Sequence, residues 1–182
     1  AGTLANVSGF QVHLGSETHH TPGDVLDALF AMNPASLRAH LPALRENGIL
    51  FVNSDSFTPE YLERAGYLAS PLSDGSLKGF RLLAVPMNQL NHDAVATVNL
   101  TARELDRCRN FFALGFALGL FDRLTDGALA WIREKYAKNP AMLEAAARSL
   151  AAGHQLAEAT GLRVRVPGGR RLPGRYRSLS GV

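Results

Sequence analysis

Residues 25–32, VLDALFAM, are followed at once by Asn33-Pro34, and this stretch decides the fold of the chain. The run is almost continuously apolar and has the length of a strand, which is typical of a strand covered on both faces. Asparagine is a strong N-cap and proline is favoured at the first helical position, so a helix is predicted to begin at this dipeptide. A buried strand leading directly into a helix is the unit from which parallel sheets are built.

The same alternation continues on both sides of this stretch. Downstream, the helix carries Leu37, Leu41 and Leu44 on one stripe, is expected to bend or break at Pro42, and ends at Asn47-Gly48. A short second helix is predicted from Thr58-Pro59 to Gly66. Further strands are predicted at residues 7–14, 49–52 and 80–85.

From residue 100 onward the pattern is helical alone. Thr101 and Glu104 have capping-box spacing, and the helix that follows runs to about residue 122 with Gly115 and Gly119 on its apolar part, where another element can approach closely. Further helices are predicted at residues 126–136 and from Asn139-Pro140 to Gly161. The predicted fold class is therefore α/β, with a mostly parallel, doubly wound sheet and helices on both faces, then a C-terminal helical segment over residues 100–160 and an extended Arg-rich tail.

Charge is distributed unevenly along the chain. The net charge is +3, but residues 161–182 hold six arginines and no acid, which leaves 13 basic against 16 acidic residues in the rest. A basic tail on an acidic body counts against nucleic-acid binding, which needs a basic face.

Cys108 is the single cysteine, so a disulfide within the chain and a thiolate-ligated iron–sulfur cluster are both excluded. No secretory signal opens the sequence, and we expect a cytoplasmic location.

Candidate chemical groups are few. No G-x-G-x-x-G or P-loop pattern occurs, and no catalytic residue is predicted. His19-His20 is the best metal candidate, but adjacent loop histidines point apart, and a solvated loop is the favoured interpretation. Asn33 is interpreted as a helix cap, with an anion site as the alternative. Cys108 lies between two arginines that could lower its pKa, but a buried, inert thiol is the expected case.

Several strings, in order, resemble one family. Ala1-Gly2-Thr3-Leu4 and residues 7–13 (VSGFQVH) are similar to a segment near the start of the alpha subunits of 2-oxoglutarate:ferredoxin oxidoreductases, in which a gamma-type domain precedes a thiamine-related domain. The similarity continues through residues 21–24 (TPGD), 31–35 (AMNPA), 52–55 (VNSD), 65–67 (AGY), 71–77 (PLSDGSL), 106–110 (DRCRN), 111–115 (FFALG), 150–153 (LAAG) and 176–181 (YRSLSG).

The resemblance implies a cytoplasmic, multi-subunit enzyme that converts a 2-oxoacid such as 2-oxoglutarate to acyl-CoA and reduces ferredoxin. Residues 1–160 would be the gamma-type domain, lacking the family's preceding glycine-rich segment, and residues 161–182 a linker towards a thiamine-related domain. Thiamine diphosphate, magnesium and the iron–sulfur cluster are expected in the alpha and beta partner parts, with none bound by this chain alone. Coenzyme A is the expected co-substrate, and Gly2 and Thr3 are expected to border its pocket because they directly follow the missing segment.

Two functions from different classes remain open at this point. The leading hypothesis is a non-catalytic scaffold that packs against the alpha and beta parts and helps to form the coenzyme A side of their pocket. The alternative is a free-standing α/β module that binds an acyl-nucleotide or another anionic ligand through Asn33 and the helix that it caps.

Overall fold

The structure is a computed structural model that describes residue 7, residues 9–13 and residues 25–164. The elements, in chain order, are β1 (Leu26–Ala31), α1 (Pro34–His40), a 3₁₀ helix (Leu41–Ala43), β2 (Leu44–Asn53), a second 3₁₀ helix (Ser54–Ser56), α2 (Pro59–Arg64), β3 (Arg81–Val85), α3 (Met87–Val95), α4 (Ala102–Leu120), α5 (Asp126–Lys135) and α6 (Pro140–Ala159).

Within the described part of the chain, the strands form one parallel sheet with β2 in the centre. The order is β1-β2-β3, with Ala31 opposite Val52 in the first pair and Asn53 opposite Val85 in the second. Because the connections are β-α-β crossovers, the carboxyl ends of all three strands lie at the same edge of the sheet. This edge is where a site is to be sought.

Helices cover both faces of the sheet, as the alternation of β2 requires. Leu50 and Val52 belong to a buried cluster that includes Leu37 of α1. Ile49 and Phe51 point to the other face, where they join a cluster that includes Phe112 and Phe116 of α4 and parts of α6. The fully buried character of residues 49–52 follows from this double cover. The predicted α/β fold with helices on both faces is confirmed.

Helices α4 and α6 are in backbone contact. A Cβ atom placed on Gly115 would lie 2.0 Å from the carbonyl oxygen of Leu150, and one placed on Gly153 would lie 2.0 Å from that of Phe112. A Cβ on Gly119 would lie 2.7 Å from the Cβ of Ala157. Nothing larger than glycine fits at these positions without moving backbone, so the close approach predicted at Gly115 and Gly119 is confirmed.

Two local predictions need correction. Val7 and residues 9–13 are not in a strand, and Phe10 is 91% exposed, because alternation yields a strand only where a neighbouring strand supplies hydrogen bonds. The first helix ends at His40, not at Asn47-Gly48. Pro42 lies in the 3₁₀ helix and Leu44 opens β2, so the break at Pro42 is confirmed while the continuation of the helix is wrong.

Helix α3 was not expected from the sequence. Its N-cap is Pro86, which has no side-chain oxygen to accept a hydrogen bond, so the usual polar signal for a helix start is missing. The other predicted helices are present with their caps, and Gly161 has the left-handed φ of 67° expected just beyond α6. Residues 165–182 lie outside the described residues, and the domain boundaries at 160 and 161 stay a prediction.

Candidate functional site

Polar side chains collect at the carboxyl edge of the sheet. Asn33 follows β1, Asn53 ends β2, and Asn88 lies in the first turn of α3, just after β3. Open α/β sheets bind their ligands in the crevice outside this edge. The three asparagines therefore mark the candidate site, and their hydrogen bonds show what it can do.

Asn53 is the centre of a buried network. It is 1% exposed, and its amide nitrogen donates to Ser56 Oγ at 2.9 Å and to Asn88 Oδ1 at 3.0 Å. Arg109 of α4 donates from Nη1 to the same Asn88 oxygen at 3.1 Å, and its Nη2 lies 2.9 Å from Asp106 Oδ1. The network thus ties β2, α3 and α4 together at the edge.

One acceptor in this network is unpaired. Asn53 Oδ1 is buried and has no hydrogen-bond partner among the described residues. An unsatisfied buried polar group is unfavourable by about 1–3 kcal/mol. A donor arriving from outside the described part of the chain would therefore gain a good partner at this edge.

The helix N-termini at the edge are occupied by the chain's own side chains. Asn33 Oδ1 accepts from the backbone nitrogen of Ser36 at 2.8 Å, and Ser36 Oγ accepts from the backbone nitrogen of Asn33 at 3.3 Å. In the first turn of α3, Asp55 Oδ2 accepts from the backbone nitrogen of Gln89 at 3.0 Å. Helix N-termini attract anions, and here the Asn33 and Asp55 side chains already fill that role. The helix-cap interpretation of Asn33 is confirmed.

Cys108 is a core residue. It is fully buried, and burial raises the pKa of its thiol above the ordinary value, with the Glu104 carboxylate acting in the same direction. A thiol that stays protonated at neutral pH is a poor nucleophile and metal ligand. The expectation of a buried, inert thiol is confirmed, and the flanking arginines do not activate it.

Other sequence candidates are not brought together. Gly2, Thr3, His19 and His20 lie outside the described residues, so their roles stay untested. Among the residues that the structure does describe, no three His, Cys, Asp or Glu side chains lie close enough to share a metal ion. Over the same part of the chain, no helix is both long and apolar enough to cross a membrane.

The sequence analysis missed the network of Asn53, Asn88 and Arg109. Two of its members lie in strings already noted for the family resemblance, residues 52–55 and 106–110. The available signal was Asn53 directly after the predicted strand at 49–52 and Asn88 three residues after the end of the predicted strand at 80–85. Only the fold shows that Arg109, on a distant helix, reaches the same edge.

Comparisons with known proteins agree with this fold. Residues 5–156 match the model of the pyruvate ferredoxin/flavodoxin oxidoreductase family. The chain is 38% identical over 184 residues to the 2-oxoglutarate oxidoreductase subunit KorA of Mycobacterium tuberculosis, covering 100% of this chain and 28% of that subunit. This chain therefore spans between a quarter and a third of the length of the curated relative.

A solved structure also resembles it. The 2-oxoglutarate:ferredoxin oxidoreductase from Magnetococcus marinus, with 2-oxoglutarate, coenzyme A and succinyl-CoA bound, superposes with a TM-score of 0.61 at 20% identity. The superposition covers 85% of this chain and 24% of that one. At this identity the similarity establishes a shared fold.

Proposed function

This chain belongs to the pyruvate ferredoxin/flavodoxin oxidoreductase family, and we propose that it is the gamma-type domain of a 2-oxoacid:ferredoxin oxidoreductase, with no reaction centre of its own. The enzyme would decarboxylate a 2-oxoacid such as 2-oxoglutarate oxidatively, pass the acyl group to coenzyme A and deliver the electrons to ferredoxin. The family match over residues 5–156 carries this assignment, and the relative from Mycobacterium tuberculosis supports 2-oxoglutarate as the substrate.

At the carboxyl edge of the sheet, side chains of this chain already accept hydrogen bonds from the helix N-termini, and this supports a scaffolding role. A phosphate-binding or catalytic α/β domain presents free helix N-termini at this edge. Here Asn33 and Asp55 occupy those positions, and Arg109 is held between Asn88 and Asp106. The edge is ordered by internal bonds, so its task would be to hold a surface in shape for the neighbouring parts.

The redox and thiamine chemistry would be located in the alpha and beta parts. An iron–sulfur cluster needs several thiolates, and the sequence offers Cys108 alone, buried in the helical core. The residues of this chain therefore do not fit the cluster. We assign thiamine diphosphate, magnesium and the cluster to the partner parts, in a cytoplasmic complex.

Coenzyme A would approach this domain from the side of its first residues. We propose that Gly2 and Thr3 form part of the rim of the coenzyme A pocket. We also propose that residues 1–160 are the gamma-type domain and that residues 161–182 are the linker to the thiamine-related domain. Six arginines in that linker suit bidentate contacts with carboxylates on a partner surface.

The proposal is tested by association. The full-length polypeptide, in which the linker would join this chain to the thiamine-related domain, is mixed with the beta polypeptide and analysed by size-exclusion chromatography. A stable complex containing all parts is expected. Separate elution of correctly folded partners would contradict the proposed role.

The free-standing module is separated from the scaffold by isothermal titration with coenzyme A. The anion anchor assumed for the module is Asn33, whose side chain is engaged in capping α1. We expect no micromolar binding by residues 1–182 without partners, provided that circular dichroism shows the chain to be folded. Micromolar binding would favour the module.

A further inference from the structure

An open cleft of about 400 Å³ lies between α4 and α5, on the helical part of the molecule. Its lining is contributed by both helices and by the residue that follows α5. The lining residues are Arg107, Asn110, Phe111, Lys135 and Tyr136. We call this surface the α4–α5 cleft; it lies apart from the asparagines of the carboxyl edge.

Aromatic rings form the wall of the α4–α5 cleft. The ring centroid of Phe111 lies 6.0 Å from that of Tyr136 and 6.2 Å from that of Trp131. Trp131 is 49% exposed, an unusual state for the largest apolar side chain. Exposed tryptophan and tyrosine beside arginine is the composition of protein-interface hot spots.

Two cations stand at the same wall. Lys135 Nζ lies 4.3 Å from the ring centroid of Trp131 and 5.6 Å from that of Tyr136, so cation–π contacts hold the ammonium group in place. Arg107 is exposed on α4. Neither cation forms an ion pair with a carboxylate in the described part of the chain.

The nearest acid to Arg107 on α4 is already engaged. Glu104 accepts hydrogen bonds from the backbone nitrogen of Thr101 at 2.9 Å and from Asn139 Nδ2 at 3.1 Å. Asp106 is paired with Arg109, on the other side of the helix. Among the five lining residues none is acidic. The lining therefore carries two cations and no acid, next to an aromatic wall. Glu104 stays charged beside it: hydrogen bonds from Thr101 and Asn139, and after them the Arg107 charge, lower the pKa of its carboxyl.

Helix α5 is lightly attached to the rest of the molecule. Within α5, which the structure describes in full, Ile132 is the one fully buried residue. A helix that buries so little apolar surface gains stability when a partner covers its exposed rings. Tyr136 and the two cations line the cleft, and the half-exposed Trp131 lies beside them, in contact with Lys135.

We propose that the α4–α5 cleft docks an acidic segment of another polypeptide of the assembled enzyme. An apolar or aromatic side chain of that segment packs against Phe111 and Tyr136, while its carboxylates contact Arg107 and Lys135. The inference rests on the proposed function for the identity of the partner. A small ligand fits less well, because small-molecule sites enclose roughly 70–90% of their ligand, whereas this cleft is an open surface feature.

Charge reversal tests the proposal in the full-length polypeptide that carries this chain. The variant Arg107→Glu/Lys135→Glu is compared with Arg133→Glu, which reverses an exposed charge of α5 that does not line the cleft. The dissociation constant for the remaining polypeptides is measured by sedimentation at low and at high salt. We expect about 10- to 100-fold weaker binding for the double variant at low salt, with a smaller salt dependence, and less than about a twofold change for the control.

Footprinting supplies an independent measurement. Hydroxyl-radical labelling read by mass spectrometry should show Trp131 and Tyr136 protected in the wild-type complex and labelled in the free polypeptide. Trp131→Ala should weaken binding about tenfold or more while the melting temperature changes little.

The outcomes separate this proposal from the proposed function. If the wild-type polypeptide forms no complex, the proposed function fails and this inference fails with it. If wild type forms the complex and the double variant binds equally well, with Trp131 labelled in both, the docking proposal alone is overturned. Loss of self-association without loss of partner binding would indicate a second copy in the cleft and would also overturn it.

Discussion

Helix α4 makes two contacts of opposite kinds. Against α6 it is in backbone contact, with Gly115 of one helix and Gly153 of the other leaving no space for a methyl group. Against α5 it contributes Phe111 to a loose group of rings, beside a cleft and a half-exposed Trp131. One helix thus carries both the most rigid joint and the most open surface of the helical part. The difference teaches that one helix can combine a close backbone contact with an open surface, according to the size of its side chains and the angle at which each neighbouring helix packs.

The largest expected effect comes from filling the tight joint. Gly115→Ala places a Cβ 2.0 Å from the carbonyl oxygen of Leu150, so backbone must move and the free energy of unfolding should fall by about 3 kcal/mol. Denaturant unfolding of the polypeptide measures this change.

Gly127→Ala is the matched control for that substitution. Gly127 lies in α5 and a Cβ there meets nothing within 4 Å. Alanine should stabilise the helix by about 0.5–1 kcal/mol through its better propensity. If Gly115→Ala and Gly127→Ala changed the free energy of unfolding equally, the proposed difference between the α4–α6 and α4–α5 contacts would be contradicted.

Removing the anchor of α5 should give the next largest effect. Ile132→Ala deletes the one fully buried side chain of this helix, and we expect a loss of about 2 kcal/mol, at the low end for buried aliphatic residues. Hydrogen exchange should rise in the amides of α5 while those of α4 and α6 keep their protection. Uniform loss of protection across all three helices would show that α5 is an integral part of the core.

The start of α4 should contribute less than either contact. Thr101 and Glu104 form a capping box, with the Glu104 backbone nitrogen donating to Thr101 Oγ1 at 3.3 Å. Thr101→Ala should lower the free energy of unfolding by about 1 kcal/mol, and Thr101→Ser should retain most of the stability. Thermal unfolding of the two variants side by side provides the check, and an equal loss in both would rule out the capping contribution.

The smallest expected effect is the pH dependence of Cys108, which is buried between these contacts in the helical core. Burial raises the pKa of its thiol above the ordinary value in the folded state, so the folded state binds the proton more tightly than the unfolded state. The resulting stability is complete below the unfolded pKa and is lost as pH rises through the folded pKa. Wild type should therefore lose more stability than Cys108→Ala on going from neutral to alkaline pH. Parallel pH profiles for the two proteins would contradict this.

The close contact of α4 with another helix could be predicted from the sequence, whereas the α4–α5 cleft could not. Gly115 and Gly119 are four residues apart on an apolar helix, a spacing that directly indicates close approach. Their partner Gly153 lies on another helix, and its role depends on how the two helices cross. The α4–α5 cleft depends in the same way on the angle between two helices, which no local pattern specifies.

In the sheet, too, features set by local sequence signals were predicted, and features that depend on distant contacts were not. Residues 25–34 predicted β1, the cap Asn33 and the start of α1 correctly, because burial, capping and proline geometry are local signals. The strand predicted at residues 7–14 fails for its described residues, since pairing is not local, and α3 was missed because Pro86 gives no side-chain cap. The Asn53, Asn88 and Arg109 network needed three elements to be placed before it could be recognised.

The central claim is that this chain shapes a multi-part oxidoreductase and performs no reaction by itself. The most direct test is reduction of ferredoxin by 2-oxoglutarate and coenzyme A, followed spectroscopically with residues 1–182 alone and with the complete assembly of the full-length polypeptide and its beta partner. The account predicts no reduction by residues 1–182 alone and full, coenzyme A-dependent reduction by the complete assembly. Turnover by residues 1–182 without any partner would contradict it.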